Sequence, residues 1–184
     1  MSYIPDPLRS VLQGLRQILP SDTRPQPHIT ILPPRPLNAR LEAVSKEAQK
    51  ILQRFNAFNV ELSHARFFPE TNLIYLEIAE GDSDLRDLHN ALNTGFLKYN
   101  EEFEFQPHLT LGRAIPDAGP AVVKSRITEA WRSASCRRFT LDEVVLVWLT
   151  SSGAGGEWRR EWSYSLSEKA VEECSTVGVT SRTF

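Results

Sequence analysis

One short segment of this chain occurs twice. Pro27-His28-Ile29-Thr30-Ile31 and Pro107-His108-Leu109-Thr110-Leu111 match with an offset of 108 − 28 = 80 residues. What surrounds them repeats as well. Each copy is a strand-like run followed by a helical pattern and then a hairpin-like pair of strands, with Phe58 of the first hairpin loosely aligned to Phe139 of the second. Two copies are too few to stack as a solenoid. The repeat therefore predicts a single α+β domain with pseudo-twofold symmetry. We expect it to span residues 1–166, with the two lobes meeting near residues 100–106. The polar, weakly patterned tail from 167 to 184 is expected to be flexible.

The elements follow from hydrophobic spacing. Leu8, Leu12, Leu15 and Leu19 predict a short helix over residues 7–19. His28 to Leu32 alternates polar and aliphatic residues and predicts a strand ended by Pro33, Pro34 and Pro36. Asn38 reads as the cap of a helix that buries Leu41, Val44, Ala48, Ile51 and Phe55. Phe58 to Leu62 and Leu73 to Ile78 predict a hairpin around residues 68–72, and Leu85, Leu88, Leu92 and Phe96 the buried face of another helix. Val123, Ile127 and Ala130 or Trp131 mark a further helix. Phe139 to Leu149 and Trp158 to Leu166 predict a second hairpin around the glycine-rich 151–156.

Composition narrows the function classes. The 184 residues are enough for one self-sufficient core. Nothing approaches a membrane span, and the first residues lack the pattern of a secretory signal. With two cysteines, Cys136 and Cys174, expected to be reduced, the expected compartment is the cytoplasm. A net charge of −2 argues against gripping duplex DNA, although 16 of the 21 basic residues are arginine, the side chain suited to bidentate phosphate contact. A small phosphorylated ligand or the end of an RNA fits better. A monomer is expected, with no cofactor and no metal. No glycine-rich phosphate loop with a following lysine, serine-hydrolase elbow or zinc-ligand spacing is present.

On a strand, residues two apart point the same way. His28 and Thr30 thus share a face, as do His108 and Thr110, while Ile29, Ile31, Leu109 and Leu111 face a core. One His-x-Thr alone means little. Two, in matching surroundings, place a pair of imidazoles and a pair of hydroxyls on one cleft. Histidine titrates near neutrality, so one ring can accept a proton while the other donates one, and the threonines can hydrogen-bond the non-bridging oxygens of a phosphodiester.

With these motifs the chain resembles the 2H phosphoesterase superfamily, and within it the 2′-5′ RNA ligase-like branch. The resemblance covers about residues 5–166. It implies a bilobal α+β fold with antiparallel sheets flanking a central cleft and helices outside, and a metal-independent enzyme that opens 2′,3′-cyclic phosphates to 2′-phosphates, with possible reversal as 2′-5′ ligation. It also implies His108 as the base toward water and His28 as the acid. The first strand of that family has little room here, since only Met1 to Pro7 precedes the first helix. Arg113 follows the second motif where the family often carries an arginine. In an unbroken strand it faces away from His108, and a bulge at Gly112 would re-aim it. Arg35 is a second substrate-binding candidate, at the cleft rim, and Trp148, Tyr75 and Phe68 are candidate base-stacking platforms. His64 and His89 stand outside the motif, with His89 expected on the surface. Two alternatives stay open: hydrolysis of a small cyclic phosphate or a 2′-5′ oligonucleotide, and a non-catalytic module that binds nucleotides or RNA ends.

Overall fold

The computed structural model describes residues 1–19, 26–68, 71–113, 120–149 and 158–167. Apart from Ser167, the expected flexible tail lies outside these, as do Cys174 and the whole glycine-rich hairpin tip, residues 151–156. The elements run β1 (Ser2–Tyr3), α1 (Leu8–Arg16), β2 (His28–Ile29), α2 (Leu41–Leu52), β3 (Phe58–Phe68), β4 (Leu73–Ile78) and α3 (Asp82–Leu92). A 3-10 turn (Gly95–Leu97), β5 (His108–Arg113), α4 (Pro120–Arg132), β6 (Arg138–Leu141), β7 (Glu143–Leu149) and β8 (Trp158–Ser165) follow. Six strands form one sheet in the order β1-β2-β5-β4-β3-β6, and β7 and β8 form a separate hairpin. All these strand pairs are antiparallel. The α+β class is thus as the sequence predicts, and the two motif strands are neighbours within a single sheet.

Packing follows the apolar periodicity. α1 buries Leu8, Leu12 and Leu15, and α2 buries Val44, Ala48, Ile51 and Leu52. Below the motif strands, Ile29, Ile31, Leu109 and Leu111 are at most 1% exposed. At roughly 1.5–3 kcal/mol for each large aliphatic side chain removed from water, this quartet alone fixes which face of β2 and β5 looks outward.

Several boundaries differ from expectation, each for a local reason. A first strand does exist: Ser2 pairs with Ile29 and Tyr3 with His28, so two residues suffice. β2 keeps ladder pairing only through Ile29, and the chain beyond it is drawn away toward α3 by a hydrogen bond to the Ile31 carbonyl. The second helix is capped by Arg40, without a side-chain hydrogen bond, and Asn38 is not its cap. α3 ends at Leu92, because Asn93 leaves helical backbone angles and Gly95 takes φ +52. The turn that follows buries Leu97, while Phe96 is 47% exposed. The expected strand from Phe139 to Leu149 is two strands broken at Asp142. β6 joins β3, and β7 joins β8.

His89 is the largest correction. It is 4% exposed, not a surface residue. Its place four residues after Leu85 puts it on the buried stripe of α3, and its ring stacks on Phe105 at 3.9 Å. Nδ1 donates to the Ile31 carbonyl at 2.7 Å, and Nε2 lies 3.7 Å from Glu101. Glu101 also pairs with Arg35, whose other nitrogens donate to the Pro33 carbonyl, Asn93 and the Leu97 carbonyl. This network ties the segment that leaves Thr30 to α3 and the turn after it. Replacing Glu101 with Ala leaves the buried Arg35 guanidinium without its counter-charge. Denaturant unfolding is expected to report a loss of roughly 3 kcal/mol, and a change under about 0.5 kcal/mol would show the network to be energetically idle.

Candidate active site

The repeat becomes a site through one backbone pairing. Ile29 stands opposite Leu109 in the antiparallel β2–β5 pair, and these residues are themselves equivalents in the repeat, 80 positions apart. The pair is therefore centred on a local twofold axis. Counting outward, His28 falls opposite Thr110 and His108 opposite Thr30, so each imidazole is matched with the hydroxyl of the other copy. The histidines are diagonal neighbours on one face, roughly 7 Å apart by sheet geometry. All four side chains are partly exposed, above the fully buried aliphatic quartet.

Each imidazole is held by the same local device. Nδ1 of His28 lies 2.8 Å from the Gln26 carbonyl, and Nδ1 of His108 lies 2.8 Å from the Gln106 carbonyl. A carbonyl oxygen only accepts, so each ring carries its proton on Nδ1, and Nε2 keeps its lone pair in the neutral form. The sequence repeat in fact extends to Gln-Pro-His in both copies. Proline restricts the residue before it to extended backbone, which helps to bring that residue's carbonyl alongside the ring. This was legible in the sequence and missed by attending to His-x-Thr alone.

Burial lowers the pKa of both histidines below the ordinary value of 6.5. For His28, nearby positive charge adds to burial, from the Met1 amino group, then Arg16 and His108 itself, while the Gln26 carbonyl opposes the shift. Arg16 was not singled out from sequence because it sits beside the leucine stripe of α1. It is 5% exposed and donates from Nη2 to the Thr110 carbonyl at 3.0 Å. A buried cation thus lies under the motif pair.

Aromatic rings flank both imidazoles. Tyr3 and Trp158 each lie 6.2 Å from His28, centroid to centroid. Phe68 and Tyr75 meet His108 edge-on at 5.6 and 5.3 Å and stack on one another at 4.1 Å. Tyr75, a candidate stacking platform, is 6% exposed and hydrogen-bonds the Gln106 side chain, so it braces His108 more than it offers an open face. Trp148 is 41% exposed and lines a cavity shared with Thr30 and Trp158.

The two arginine candidates part company. Along β4, Tyr75 stands opposite Thr110, Ile74 opposite Gly112 and Leu73 opposite Arg113, with a register shift after Ile74. The extra residue of β5 at this bulge restores parity. Leu73 and Tyr75 share a face, so Arg113 shares that of Thr110, and it is exposed. Arg35 goes the other way. Its guanidinium is spent in the buried Glu101 network instead of standing free at a cleft rim. His64 is exposed, 3.7 Å from Glu77, which also pairs with Arg66 at 2.9 Å. Among the described residues no group of three or more His, Cys, Asp or Glu is placed to hold a metal ion, and no helix is long and apolar enough to cross a membrane.

Two imidazoles with Nδ1 held by backbone carbonyls, on adjacent antiparallel strands and each two residues from a threonine on the same face, form a pair that can give and take protons on a duplicated α+β fold. The profile of the 2′-5′ RNA ligase superfamily matches residues 4–153, and the chain belongs to that family. Relatives named "Putative phosphoesterase" in Geobacillus thermodenitrificans (strain NG80-2) and Bacillus thuringiensis (strain Al Hakam) are 34% and 32% identical over 103 residues, 55% of this chain. The match spans 59% of the length of each of these relatives. Among solved structures, E. coli LigT complexed with ATP superimposes with a TM-score of 0.60 at 16% identity, covering 91% of this chain and 95% of that one. TT0787 of Thermus thermophilus gives 0.65 at 16% identity, covering 91% and 96%. These two likenesses concern the fold.

Nitrogen-15 NMR of the imidazoles tests this geometry. At pH 7 both His28 and His108 are expected to be neutral Nδ1–H tautomers, with midpoints below 6.5. Nε2–H tautomers or midpoints above about 7 would contradict it.

Proposed function

We propose that this chain opens 2′,3′-cyclic phosphates to 2′-phosphates by paired-histidine acid–base catalysis, and joins 2′-5′ linkages when a 5′-hydroxyl takes the place of the attacking water. The observation that carries the reading is the pairing of Ile29 with Leu109, whose antiparallel register directs His28 toward Thr110 and His108 toward Thr30. In the forward direction His108 takes a proton from water as its oxygen attacks phosphorus. The bond from phosphorus to O3′ breaks, and His28 delivers a proton to the departing oxygen, leaving the phosphate on O2′. Arg16 makes protonated His28 the stronger proton donor, since the field that lowers its pKa favours release. Thr30 and Thr110 hydrogen-bond the non-bridging oxygens, and Arg113, turned to their face by the bulge, adds positive charge where the phosphate is most negative. No step requires a metal ion. Trp148 and Tyr75 are the candidate walls for the organic part of the substrate.

A second reading, hydrolysis of a small cyclic phosphate or a 2′-5′ oligonucleotide in place of a long RNA end, is favoured by the net charge of −2. A shallow dependence of RNA affinity on salt supports it, because few phosphates are then neutralised.

The test is product analysis on 2′,3′-cyclic nucleotides and cyclic-phosphate-ended RNA in the presence of a chelator. We expect 2′-phosphates, and a loss of roughly 100-fold or more in His28→Ala and in His108→Ala without loss of fold. Full turnover in both variants refutes the assignment. On bis(p-nitrophenyl) phosphate, whose leaving group needs no proton, His28→Ala is expected to retain more activity than His108→Ala. The opposite order exchanges the two roles.

The pH profile gives an independent check. The acid limb of kcat/KM reports protonation of the base and the alkaline limb deprotonation of the acid, both in the free enzyme. With both pKa values lowered by burial, the optimum is expected below pH 6.5. An optimum above about pH 7 would overturn this account of the electrostatics.

A further inference from the structure

Beside the motif pair lies a cavity of about 470 Å³ that the two histidines do not explain. Its walls come from the segment after β2, from α2, from Leu92 and Leu97, and from the β7–β8 hairpin. Thr30 lines it, and so does Trp158, whose ring faces His28 at 6.2 Å. A group seated in the cavity can therefore be covalently continuous with a phosphate held by the motif threonines. This volume is roughly three times the ~150 Å³ cavity that accommodates a benzene molecule, and it falls in the range of small-molecule sites.

Its chemistry is one-sided. Leu32, Leu37, Leu52, Val145 and Val147 give it an aliphatic lining, closed by the rings of Trp148 and Trp162. The single charged side chain among the described lining residues is Arg35, and its donors go to Pro33, Asn93, Leu97 and Glu101. The indole N–H of Trp162 donates to Ser45 at 2.7 Å. The Ile31 carbonyl accepts from His89. A nucleobase carries several donors and acceptors on its edges, and seating it here would bury them against mostly apolar walls in which the Arg35 and Trp162 donors and the Ile31 carbonyl are already engaged. An apolar group meets no such cost.

We propose that this cavity is a specificity subsite for an apolar substituent, aromatic or aliphatic, on the phosphoester that His28 and His108 act on. The inference rests on the phosphate-binding reading above and narrows it to substrates that carry a hydrophobic group in addition to the phosphate. The base of a nucleotide substrate would then lie outside the cavity.

Calorimetric binding to the full chain tests it. The probes are inorganic phosphate, the n-alkyl phosphates from ethyl to hexyl, 1-naphthyl phosphate and adenosine 2′-phosphate. Affinity is expected to rise roughly threefold to fourfold for each added methylene, and 1-naphthyl phosphate is expected to bind more tightly than adenosine 2′-phosphate. The steeper arm, alkyl or aryl, identifies the class of substituent. In Val147→Asp, which puts a charge in the cavity, and in Val147→Trp, which fills it with a strand-compatible side chain, the chain-length dependence is expected to vanish. Inorganic phosphate affinity should stay the same. Affinity independent of chain length, a dependence that survives in Val147→Trp, or tighter binding of adenosine 2′-phosphate overturns the proposal. Turnover of cyclic nucleotides is scored separately. Its absence in a protein that shows the chain-length dependence counts against the reaction and leaves the subsite standing.

Discussion

The pairing of Ile29 with Leu109 is the constraint on which the rest of the site depends. Because these residues are equivalents in the repeat, an antiparallel pair centred on them must carry each histidine to the threonine of the other copy. Any other register loses that. A slip of either strand by one residue would turn its imidazole toward the core and expose two of the four aliphatic side chains that are now at most 1% exposed. The hydrophobic effect thus holds the geometry of the motif pair. The same burial that fixes the register also desolvates the rings and lowers their pKa values.

Around this axis the supports differ between the halves. His108 is braced by Phe68 and Tyr75 from the adjoining hairpin. His28 has Tyr3 from a two-residue strand and Trp158 from the separate β7–β8 hairpin. Strand β2 is short, and the network of His89, Glu101 and Arg35 fixes where the chain goes next. Arg16 breaks the symmetry electrostatically, lying closer in effect to His28. A symmetric scaffold with asymmetric charge suits a reaction in which one imidazole gives a proton and the other takes one.

Much of this was legible in the chain. The offset of 80 and the alternation of His28-Ile29-Thr30-Ile31 were enough to place the four motif side chains on a common face, and glycine at position 112 flagged the bulge that turns Arg113. What escaped depends on contacts between segments distant in sequence. Arg16 and His89 are polar residues on helical stripes, and local pattern does not reveal that a carbonyl from β5 or from the chain after β2 waits to receive them. Arg35 looks like a loop arginine until Glu101 is placed against it. The break at Asp142 is set by which sheet each half of the strand joins, and periodicity is blind to that. The family follows from the sequence match.

The claim at the centre is that two imidazoles hold one phosphorus centre between them. Nitrogen-15 NMR of the histidine rings during titration with inorganic phosphate measures this directly. The account predicts that the Nε2 signals of His28 and His108 move together and saturate at one equivalent of phosphate. Movement of one ring alone, or independent saturation of the two, would contradict it.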